Sequence, residues 1–329
     1  AFNKVLKDII VKSKTIAGFD APYIPGWDCH GLPIELQVEK KVGKPGVKVS
    51  HNDFRRACRE YAKKQVERQS VSFQRLGIFG LWENPYLTMN YRYENNILLA
   101  LSKIIEKGHL SRGFKPVHWC CACRSSLAEA EVIYKDKLSP AVDVAFKVID
   151  TDSLVKSLKL EGKIKEIDFV IWTTTPWTLP ANQAVAVGEA IDYILLEIDK
   201  NKGRAVWIAK DLKDDFIARL GKEDKDVSVL IEKSGEYLFS QDIKLKHPLF
   251  AREVPLVLGH HVTTESGTGC VHIAPVHGED DFLIGKEYDL PIDLPVGNNG
   301  RFVDSLKEYA GLFVFDANEK IIDDLNTSG

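Results

Sequence analysis

The sequence contains a single methionine, Met89, and begins with alanine. No apolar run reaches the roughly 20 residues that a transmembrane helix needs, and no secretory signal peptide is visible. These absences argue against a membrane protein with helical spans. They also indicate a piece excised from a longer chain, and any N-terminal targeting segment would have been lost with the missing part.

The cysteines do not form an evident disulfide framework. Three of the six crowd together as Cys120, Cys121 and Cys123, which favours metal binding in a reducing compartment. Cys120 and Cys123 form a C-x-x-C pair that can share a zinc ion, but a closed structural site needs four ligands and no second pair exists. Either the other half lies beyond the last residue, or His118 or Cys121 completes the site, or no metal binds.

Length and charge place the chain among globular proteins. Its 329 residues suffice for about two domains, and a hydrophobic content of 44% with 28% charged residues is ordinary. The net charge of −3 conceals an asymmetry, because residues 1–140 hold 23 basic and 14 acidic side chains and the remainder holds 21 and 33. A basic first part is compatible with phosphate or nucleic-acid ligands, although the excess is modest.

Apolar residues at helical spacing predict three helices in the first part of the chain. The first covers residues 2–13, the second begins after a capping Ser50 and ends before Gly77, and the third runs from about Tyr91 to Gly108. We expect the apolar faces of the second and third helices to pack on a sheet.

The pattern changes near residue 140. Short apolar runs separated by turns predict a compact, β-barrel-like domain from there onward, with one or two short helices at 210–220 and 280–287. The predicted strands are 142–149, 169–172, 184–187, 193–198, 205–209, 227–231, 254–258, 270–274 and 313–315.

Three stretches combine polar side chains with sharp turns. In residues 168–187 an apolar run ends in three threonines, and two prolines then prevent a regular ladder or helix. Strand ends of this kind present hydroxyls at the rim of a sheet, although threonine is also simply a good strand former. In residues 267–282 two histidines and three acids follow a tight glycine turn. Residues 19–35 form a proline- and glycine-rich loop, which either aims polar side chains or is an ordinary loop around a buried tryptophan.

Together these stretches resemble the isoleucyl-tRNA synthetases, a family of class I aminoacyl-tRNA synthetases. The segment Pro-Gly-Trp-Asp-Cys-His-Gly-Leu-Pro-Ile-Glu at 25–35 is similar to a loop of their catalytic core. Trp-Thr-Thr-Thr-Pro-Trp-Thr-Leu-Pro-Ala-Asn at 172–182 and residues 267–282 are similar to the two halves of their editing site. The resemblance implies an α/β fold. Residues 1–140 would be a partial Rossmann-type core, with helices, short parallel strands and the C-x-x-C half of a zinc ribbon, and residues 141–329 an inserted β-barrel-like editing domain.

The resemblance also implies an activity. Such an enzyme activates isoleucine with ATP and Mg²⁺, charges tRNA(Ile), and hydrolyses valyl-tRNA(Ile) made in error. Isoleucine and valine differ by one methylene, from which a pocket gains only roughly 1–3 kcal/mol, a limit that this very pair of amino acids commonly illustrates. The family further implies a cytoplasmic monomer without a membrane partner and, in some members, a zinc ion.

Roles for individual residues follow from the matched positions. Asp281 matches the acid that anchors the substrate α-ammonium group, and His272 matches the residue whose bulk bars isoleucine while admitting valine. A positioned water would be the nucleophile, and its proton would pass to His272 or to a ribose hydroxyl of the substrate. The implied catalytic residues are Asp281, Thr173, Thr174, Thr175 and His272, the substrate-binding residues are Asn182, Trp177, Asp28, Trp27 and His30, and the metal ligands are Cys120 and Cys123.

Two departures from the family pattern limit the prediction. The class I signatures His-Ile-Gly-His and Lys-Met-Ser-Lys-Ser are both absent, so we expect the chain alone to be incompetent for aminoacylation. Two other classes of function stay open. A non-catalytic tRNA-binding module would have a basic, aromatic-lined groove and hydrolyse no mischarged tRNA. A free-standing aminoacyl-tRNA deacylase is disfavoured by the core-like first 140 residues.

Overall fold

Helices dominate residues 2–113, the first of two units into which the contacts of the chain divide it. The computed structural model of the chain describes residues 2–160, 164–199 and 202–328. The elements of the first unit are α1 (Phe2–Ile16), β1 (Gly26–Trp27), α2 (Leu32–Val42), α3 (His51–Arg75), β2 (Tyr86–Leu87) and α4 (Tyr91–Glu106).

Local sequence signals explain where these helices begin. The Ser50 hydroxyl accepts a hydrogen bond from the N–H of Asp53 at 3.1 Å and so caps α3 as predicted. All three predicted helices are confirmed, with α1 extending three residues further than expected. The sequence did not predict α2, although Pro33 in its first turn is a recognised start signal.

The packing of this unit differs from the prediction. Its described strands are a single parallel pair, in which Gly26 lies opposite Tyr86 and Trp27 opposite Leu87. A small cluster around Cys29, Ala62 and Met89 forms its core. No residue of α4 is buried, and apolar side chains such as Leu98 are more than half exposed. The spacing identified a helix correctly, but the expected sheet beneath α4 is wrong.

The second unit, residues 114–328, is built on strands. Its elements are β3 (Trp119–Cys120), β4 (Ser125–Ser126), β5 (Val142–Val148), α5 (Thr151–Ser157), β6 (Glu166–Thr173), β7 (Ala184–Val187), β8 (Asp192–Asp199), β9 (Arg204–Ala209), α6 (Lys213–Arg219), β10 (Ser228–Ser234), α7 (Gly235–Ser240), β11 (Lys244–Lys246), β12 (Glu253–Leu258), β13 (Cys270–Ile273), α8 (Glu279–Glu287) and α9 (Ala317–Ser328). A 3₁₀ segment, Pro176–Ala181, joins β6 to β7.

Nine of these strands form one mixed sheet, in the order β10-β8-β9-β6-β5-β11-β12-β7-β13. Two of its pairs are parallel, β6 with β9 and β12 with β7. The α/β class is therefore confirmed. The expected barrel-like closure is not found, because β10 and β13 do not pair with each other in the described ranges and leave the sheet open.

Contacts divide the chain after Gly113, and the domain boundary near 140 stays a prediction. The hairpin of β3 and β4 lies with the second unit because the Trp119 indole N–H donates to the Asn298 carbonyl at 2.9 Å. Residues 313–315 form no strand and make only an isolated bridge between Arg301 and Phe313. Their apolar character serves packing instead, since Phe315 lies edge-on to Trp177.

The strand that carries the second polar stretch is held in place by a glycine turn. Gly269 has a φ of +74°, and a side chain there would collide with Ala209. The buried Tyr193 hydroxyl donates to the Gly269 carbonyl at 2.6 Å and accepts from the Gly188 N–H at 2.8 Å. This pair of hydrogen bonds fixes the entry to β13, and β13 then pairs with β7 so that His272 lies opposite Val185.

A helix that crosses a bilayer must be both long and apolar. Across residues 2–160, 164–199 and 202–328, none combines the length and the apolar character needed to cross one.

Candidate active site

One open cleft of about 320 Å³ brings together the two polar stretches of the second unit. One wall is the end of β6, a second is the middle of β13, and a third is the start of α8. The lining residues are Trp172, Thr173, Thr174, Thr175, His261, Val271, His272, Gly278, Glu279, Asp280 and Asp281.

The threonines form the rim of the cleft. Thr173 is buried, and its hydroxyl accepts the backbone N–H of Thr175 at 3.1 Å and lies 3.3 Å from the Thr175 hydroxyl. Thr174 and Thr175 are exposed. Because the chain turns into the 3₁₀ segment at once, these hydroxyls stay at the strand end instead of entering a ladder.

His272 forms the opposite wall and is 8% exposed. Its Nε2 lies 2.9 Å from the Thr178 hydroxyl, and its Nδ1 lies 3.4 Å from Asn182 Nδ2. The Thr178 hydroxyl donates its only proton to the Thr175 carbonyl at 2.9 Å, so it must accept from the imidazole. The Asn182 amide donates to Nδ1. Donation from Nε2 and acceptance at Nδ1 together correspond to a neutral ring with its proton on Nε2.

The surroundings of His272 keep it uncharged. Burial, reinforced by the nearby His277, lowers the pKa of His272 to about 4. Both ring nitrogens are engaged within the wall, so neither is free to take a proton from a ligand in the cleft. His272 therefore contributes shape to the cleft, not a free base.

Asp281 is the half-buried acid of the cleft. Burial raises the pKa of Asp281 to about 6, the N–H of Ala274 lowers it, and the charge of Asp280 raises it again. Asp281 is thus ionised at neutral pH but easily neutralised below pH 6. Gly278 makes room for it, because a Cβ at position 278 would lie 2.6 Å from Asp281 Oδ2.

The charge of the cleft has one sign. Glu279, Asp280 and Asp281 supply three carboxylates at the start of α8. Among the described lining residues there is no lysine or arginine, and burial lowers the pKa of His261 so that it is neutral. Such a cleft attracts a cationic group, and the uncharged hydroxyls at its other side can accept or donate hydrogen bonds.

Two predicted ligand-binding residues do not line the cleft. Asn182 is fully buried, with its amide donating to the Ala184 carbonyl at 2.8 Å and reaching His272. Trp177 packs edge-on to His277 with ring centroids 4.8 Å apart, and its backbone N–H donates to Asn318 Oδ1 at 3.0 Å. Both therefore support the walls from behind.

The predicted residues of the first unit gather at the ends of its parallel strands. Asp28 Oδ1 accepts the His30 N–H at 3.3 Å and the Thr88 hydroxyl at 3.4 Å, and His30 Nε2 lies 3.3 Å from the Thr88 carbonyl. The Trp27 indole N–H donates to Gln69 Oε1 at 2.9 Å. Ligands commonly bind beyond the carboxyl ends of parallel strands, which is where Asp28 and His30 lie.

The C-x-x-C pair lies in a tight turn between β3 and β4. The N–H of Cys123 donates to Cys120 Sγ at 3.3 Å, and this bond together with the thiol of Cys123 lowers the pKa of Cys120. Cys121 packs against Gly300 instead, and His118 lies 3.8 Å from Glu129. Within the described part of the chain, no group of three or more His, Cys, Asp or Glu side chains could hold a metal ion. The local residues do not complete a closed zinc site.

Sequence reasoning missed three residues of this region. Thr178 locks the His272 ring, His261 lines the cleft, and Gly278 admits the Asp281 carboxylate. Gly278 directly precedes an acidic helix start, and this position in the sequence could have indicated it. No local signal could have paired Thr178 with a histidine 94 residues away.

Comparison with known proteins assigns the chain to a family. The model described as tRNA synthetases class I (I, L, M and V) matches residues 1–265. Isoleucine–tRNA ligases of Shewanella pealeana and Alcanivorax borkumensis are 53% and 54% identical over 99% and 100% of this chain, which spans 34% and 35% of their length. The isoleucine–tRNA ligase of Legionella pneumophila is 52% identical over 98% of the chain, again covering 34% of the relative.

Solved structures give more distant matches. GlLeuRS-CP1 has a TM-score of 0.44 at 13% identity, covering 57% of this chain and 96% of its own. The editing domain of the P. knowlesi cytosolic leucyl-tRNA synthetase has a TM-score of 0.38 at 13% identity, covering 48% of this chain and 68% of its own. The family match over most of the chain agrees with the resemblance in its sequence motifs, and the chain belongs to the class I tRNA synthetases of the I, L, M and V group.

Proposed function

We propose that the second unit carries the editing site of an isoleucine–tRNA ligase and hydrolyses valine wrongly esterified to tRNA(Ile). The supporting observation is one cleft in which an ionised Asp281 and a neutral, locked His272 face a rim of threonine hydroxyls. An aminoacyl ester of tRNA offers three groups to such a cleft: an α-ammonium, an ester carbonyl and a ribose.

Asp281 would bind the ammonium group. A charge-assisted hydrogen bond of this kind contributes about 1.5–3 kcal/mol, and the cleft has no competing cation among its described lining residues. The exposed hydroxyls of Thr174 and Thr175 would contact the carbonyl and the ribose. His272 would limit the depth available to the amino-acid side chain, so that valine fits and the extra methylene of isoleucine does not.

Hydrolysis then needs a water and a proton acceptor. Water attacks the ester carbonyl carbon, the bond from that carbon to the ribose oxygen breaks, and the proton of the water finally resides on the ribose oxygen. His272 cannot receive this proton at neutral pH because its Nδ1 and Nε2 are both engaged. Of the two routes considered from the sequence, the substrate's own ribose hydroxyl is therefore the one we propose.

Residues 1–140, which include the first unit, would contribute to aminoacylation. In this proposal they are part of a Rossmann-type core, in which Asp28 binds the amino group of isoleucine and Trp27 and His30 shape the pocket. The complete enzyme would use ATP and Mg²⁺ to activate isoleucine before transfer to tRNA(Ile). The chain spans about a third of its relatives, so these steps belong to the whole protein.

The test compares hydrolysis of valyl-tRNA(Ile) and isoleucyl-tRNA(Ile) by the chain. We expect hydrolysis of the valyl ester only. Asp281→Asn should slow it at least tenfold, and the matched change Asp280→Asn, in an adjacent exposed acid, should slow it much less. His272→Ala should admit isoleucyl-tRNA(Ile). Binding of either tRNA without hydrolysis would contradict the proposal and favour a non-catalytic tRNA-binding module.

A further inference from the structure

The 3₁₀ segment that carries Thr178 depends on two residues outside the cleft. Two of its carbonyl groups, and that of Asn182 just after it, face the turn between β11 and β12. His247 Nε2 lies 3.0 Å from the Leu179 carbonyl. Arg252 Nη2 donates to the Pro180 carbonyl at 2.9 Å and to the Asn182 carbonyl at 2.5 Å. Neither His247 nor Arg252 lines the cleft.

The His247 contact has a defined donor. Nδ1 of His247 accepts the backbone N–H groups of Leu249 at 3.1 Å and Phe250 at 3.2 Å. An accepting Nδ1 carries no proton, so the neutral ring holds it on Nε2 and donates it to the Leu179 carbonyl. The ring is 1% exposed and packs against the rings of Phe146 and Phe250, and this packing fixes its orientation.

Arg252 is joined to the same turn. Its backbone carbonyl accepts the N–H of His247 at 3.0 Å, so the two side chains extend from one closed turn. Its guanidinium serves two carbonyls that belong to residues two apart, which suits a planar donor with several N–H groups. A lysine has a single ammonium at this point, and a methionine has no donor.

The contacts continue from this turn to the wall of the cleft. The turn holds the carbonyls of Leu179, Pro180 and Asn182, which follow Thr178 directly in the chain. The side chains of Thr178 and Asn182 fix the two nitrogens of His272. The Leu179 carbonyl also accepts the Asn182 N–H at 2.9 Å, so the loss of Arg252 has the larger effect. Without Arg252 the Pro180 and Asn182 carbonyls would lose these hydrogen bonds, which is costly, so the segment would shift to reach water or other donors. Thr178 would move with it, and His272 would lose its fixed orientation.

We propose that His247 and Arg252 are specificity-positioning residues, which hold His272 at the depth that separates valine from isoleucine. The substrate in this inference rests on the proposed editing function, but the hydrogen-bonded link from the two residues to His272 does not. We name the two residues the 247/252 clamp. It acts through hydrogen bonds to the main chain, so it fixes position without touching substrate.

Two measurements on the whole chain test the clamp. The first is the ratio of isoleucyl-tRNA(Ile) to valyl-tRNA(Ile) hydrolysis in Arg252→Met, Arg252→Lys and the control Arg301→Met. Arg301 is matched because its Nη1 also donates to a backbone carbonyl, that of Gly311 at 2.8 Å, and it lies outside the cleft. The second is the ¹⁵N NMR signature of the His272 tautomer without tRNA.

We expect Arg252→Met to raise the hydrolysis ratio at least tenfold towards that of His272→Ala, and Arg252→Lys to raise it less. We also expect Arg252→Met to change the His272 tautomer signal, while Arg301→Met changes neither readout. A general loss of stability would slow both esters together and leave their ratio at the parent value. That result, or an unaltered His272 signal in folded Arg252→Met, overturns the clamp.

Two outcomes need separate treatment. If the parent chain hydrolyses neither ester, the proposed function fails, and the NMR measurement alone decides the clamp. If Arg252→Met does not fold, Arg252→Lys provides the same two measurements, because it keeps the charge but places its three N–H donors on one nitrogen in place of the planar guanidinium. A parent-like ratio and tautomer signal in Arg252→Lys would then contradict the inference.

Discussion

Replacing Gly278 by alanine should impair the cleft without unfolding the protein. Gly278 has φ −145° and ψ 153°, which alanine adopts freely. The added Cβ would lie 2.6 Å from Asp281 Oδ2 and 3.0 Å from its Cγ. Ordinary contact begins at 3.4 Å, so the carboxylate oxygen must move by the difference, 0.8 Å. The movement falls on the end of a side chain, not on backbone.

The expected sizes of the two effects differ. Alanine gains about 0.4–1 kcal/mol by restricting the unfolded chain. It is a poorer N-cap than glycine, which costs several tenths of a kcal/mol or more, so stability should change by less than about 1 kcal/mol. Loss of a charge-assisted contact costs about 1.5–3 kcal/mol. At 1.4 kcal/mol per factor of ten, hydrolysis of valyl-tRNA(Ile) should slow roughly tenfold to a hundredfold.

The assay measures kcat/KM for valyl-tRNA(Ile) together with thermal unfolding. Gly113→Ala is the control, because a Cβ there meets nothing within 4 Å and its φ is not positive. If Gly278→Ala acts by displacing Asp281, it should cost nothing further when added to Asp281→Ala. Parent-like kcat/KM in Gly278→Ala, or losses that simply add in the double variant, would refute this reasoning.

Three further predictions concern pH and metal. Burial lowers the pKa of His247 to about 3 and those of His272 and His277 to about 4, so the stability tied to their neutral forms is present above pH 6.5 and lost as the pH falls towards about 4. Protonating each histidine costs about 3 kcal/mol of unfolding free energy between pH 6.5 and 4. Asp281, whose raised pKa works in the opposite direction below about pH 6, offsets roughly one of these losses, and chemical denaturation between pH 7 and 4 measures the net loss. Hydrolysis of valyl-tRNA(Ile) should decline as the pH falls through about 6, because the anchoring carboxylate becomes neutral; a flat kcat/KM profile from pH 7 to 5 would contradict this. Metal analysis of the purified chain should find well under one zinc per chain, since Cys120 and Cys123 supply two ligands of four; stoichiometric, chelator-resistant zinc would mean that a local group closes the site.

Features encoded within a few residues were predictable from the sequence. The cap at Ser50 depends on its own neighbours, and eight strands of the second unit, β5 to β10, β12 and β13, follow from short apolar runs between turns. The strand predicted at 313–315 failed because apolar residues packing from a loop look like a short strand. The partner of α4 could not be inferred either, since spacing identifies an apolar face but not what covers it.

The site was predictable as a set of candidates but not as an arrangement. The threonines and Asp281 were recognisable because strand ends and acidic helix starts are local features. The engagement of both His272 nitrogens was not, because Thr178 and Asn182 reach it across the sheet. That network turns a possible base into a fixed wall, and only three-dimensional pairing reveals it.

The pairing of β7 has a consequence for the order in which the protein is made. All four residues of β7 are buried, and both its partners, β12 and β13, come later in the chain. Chains grow at about 5–20 residues per second, so His272 follows Thr178 by roughly 5 to 20 s during synthesis. Until β12 emerges within that interval, β7 is an apolar strand with two open edges, the kind of segment that pairs with the wrong neighbour. The nascent chain is therefore most in need of chaperone protection at Ala184–Val187, until β13 emerges to cover it.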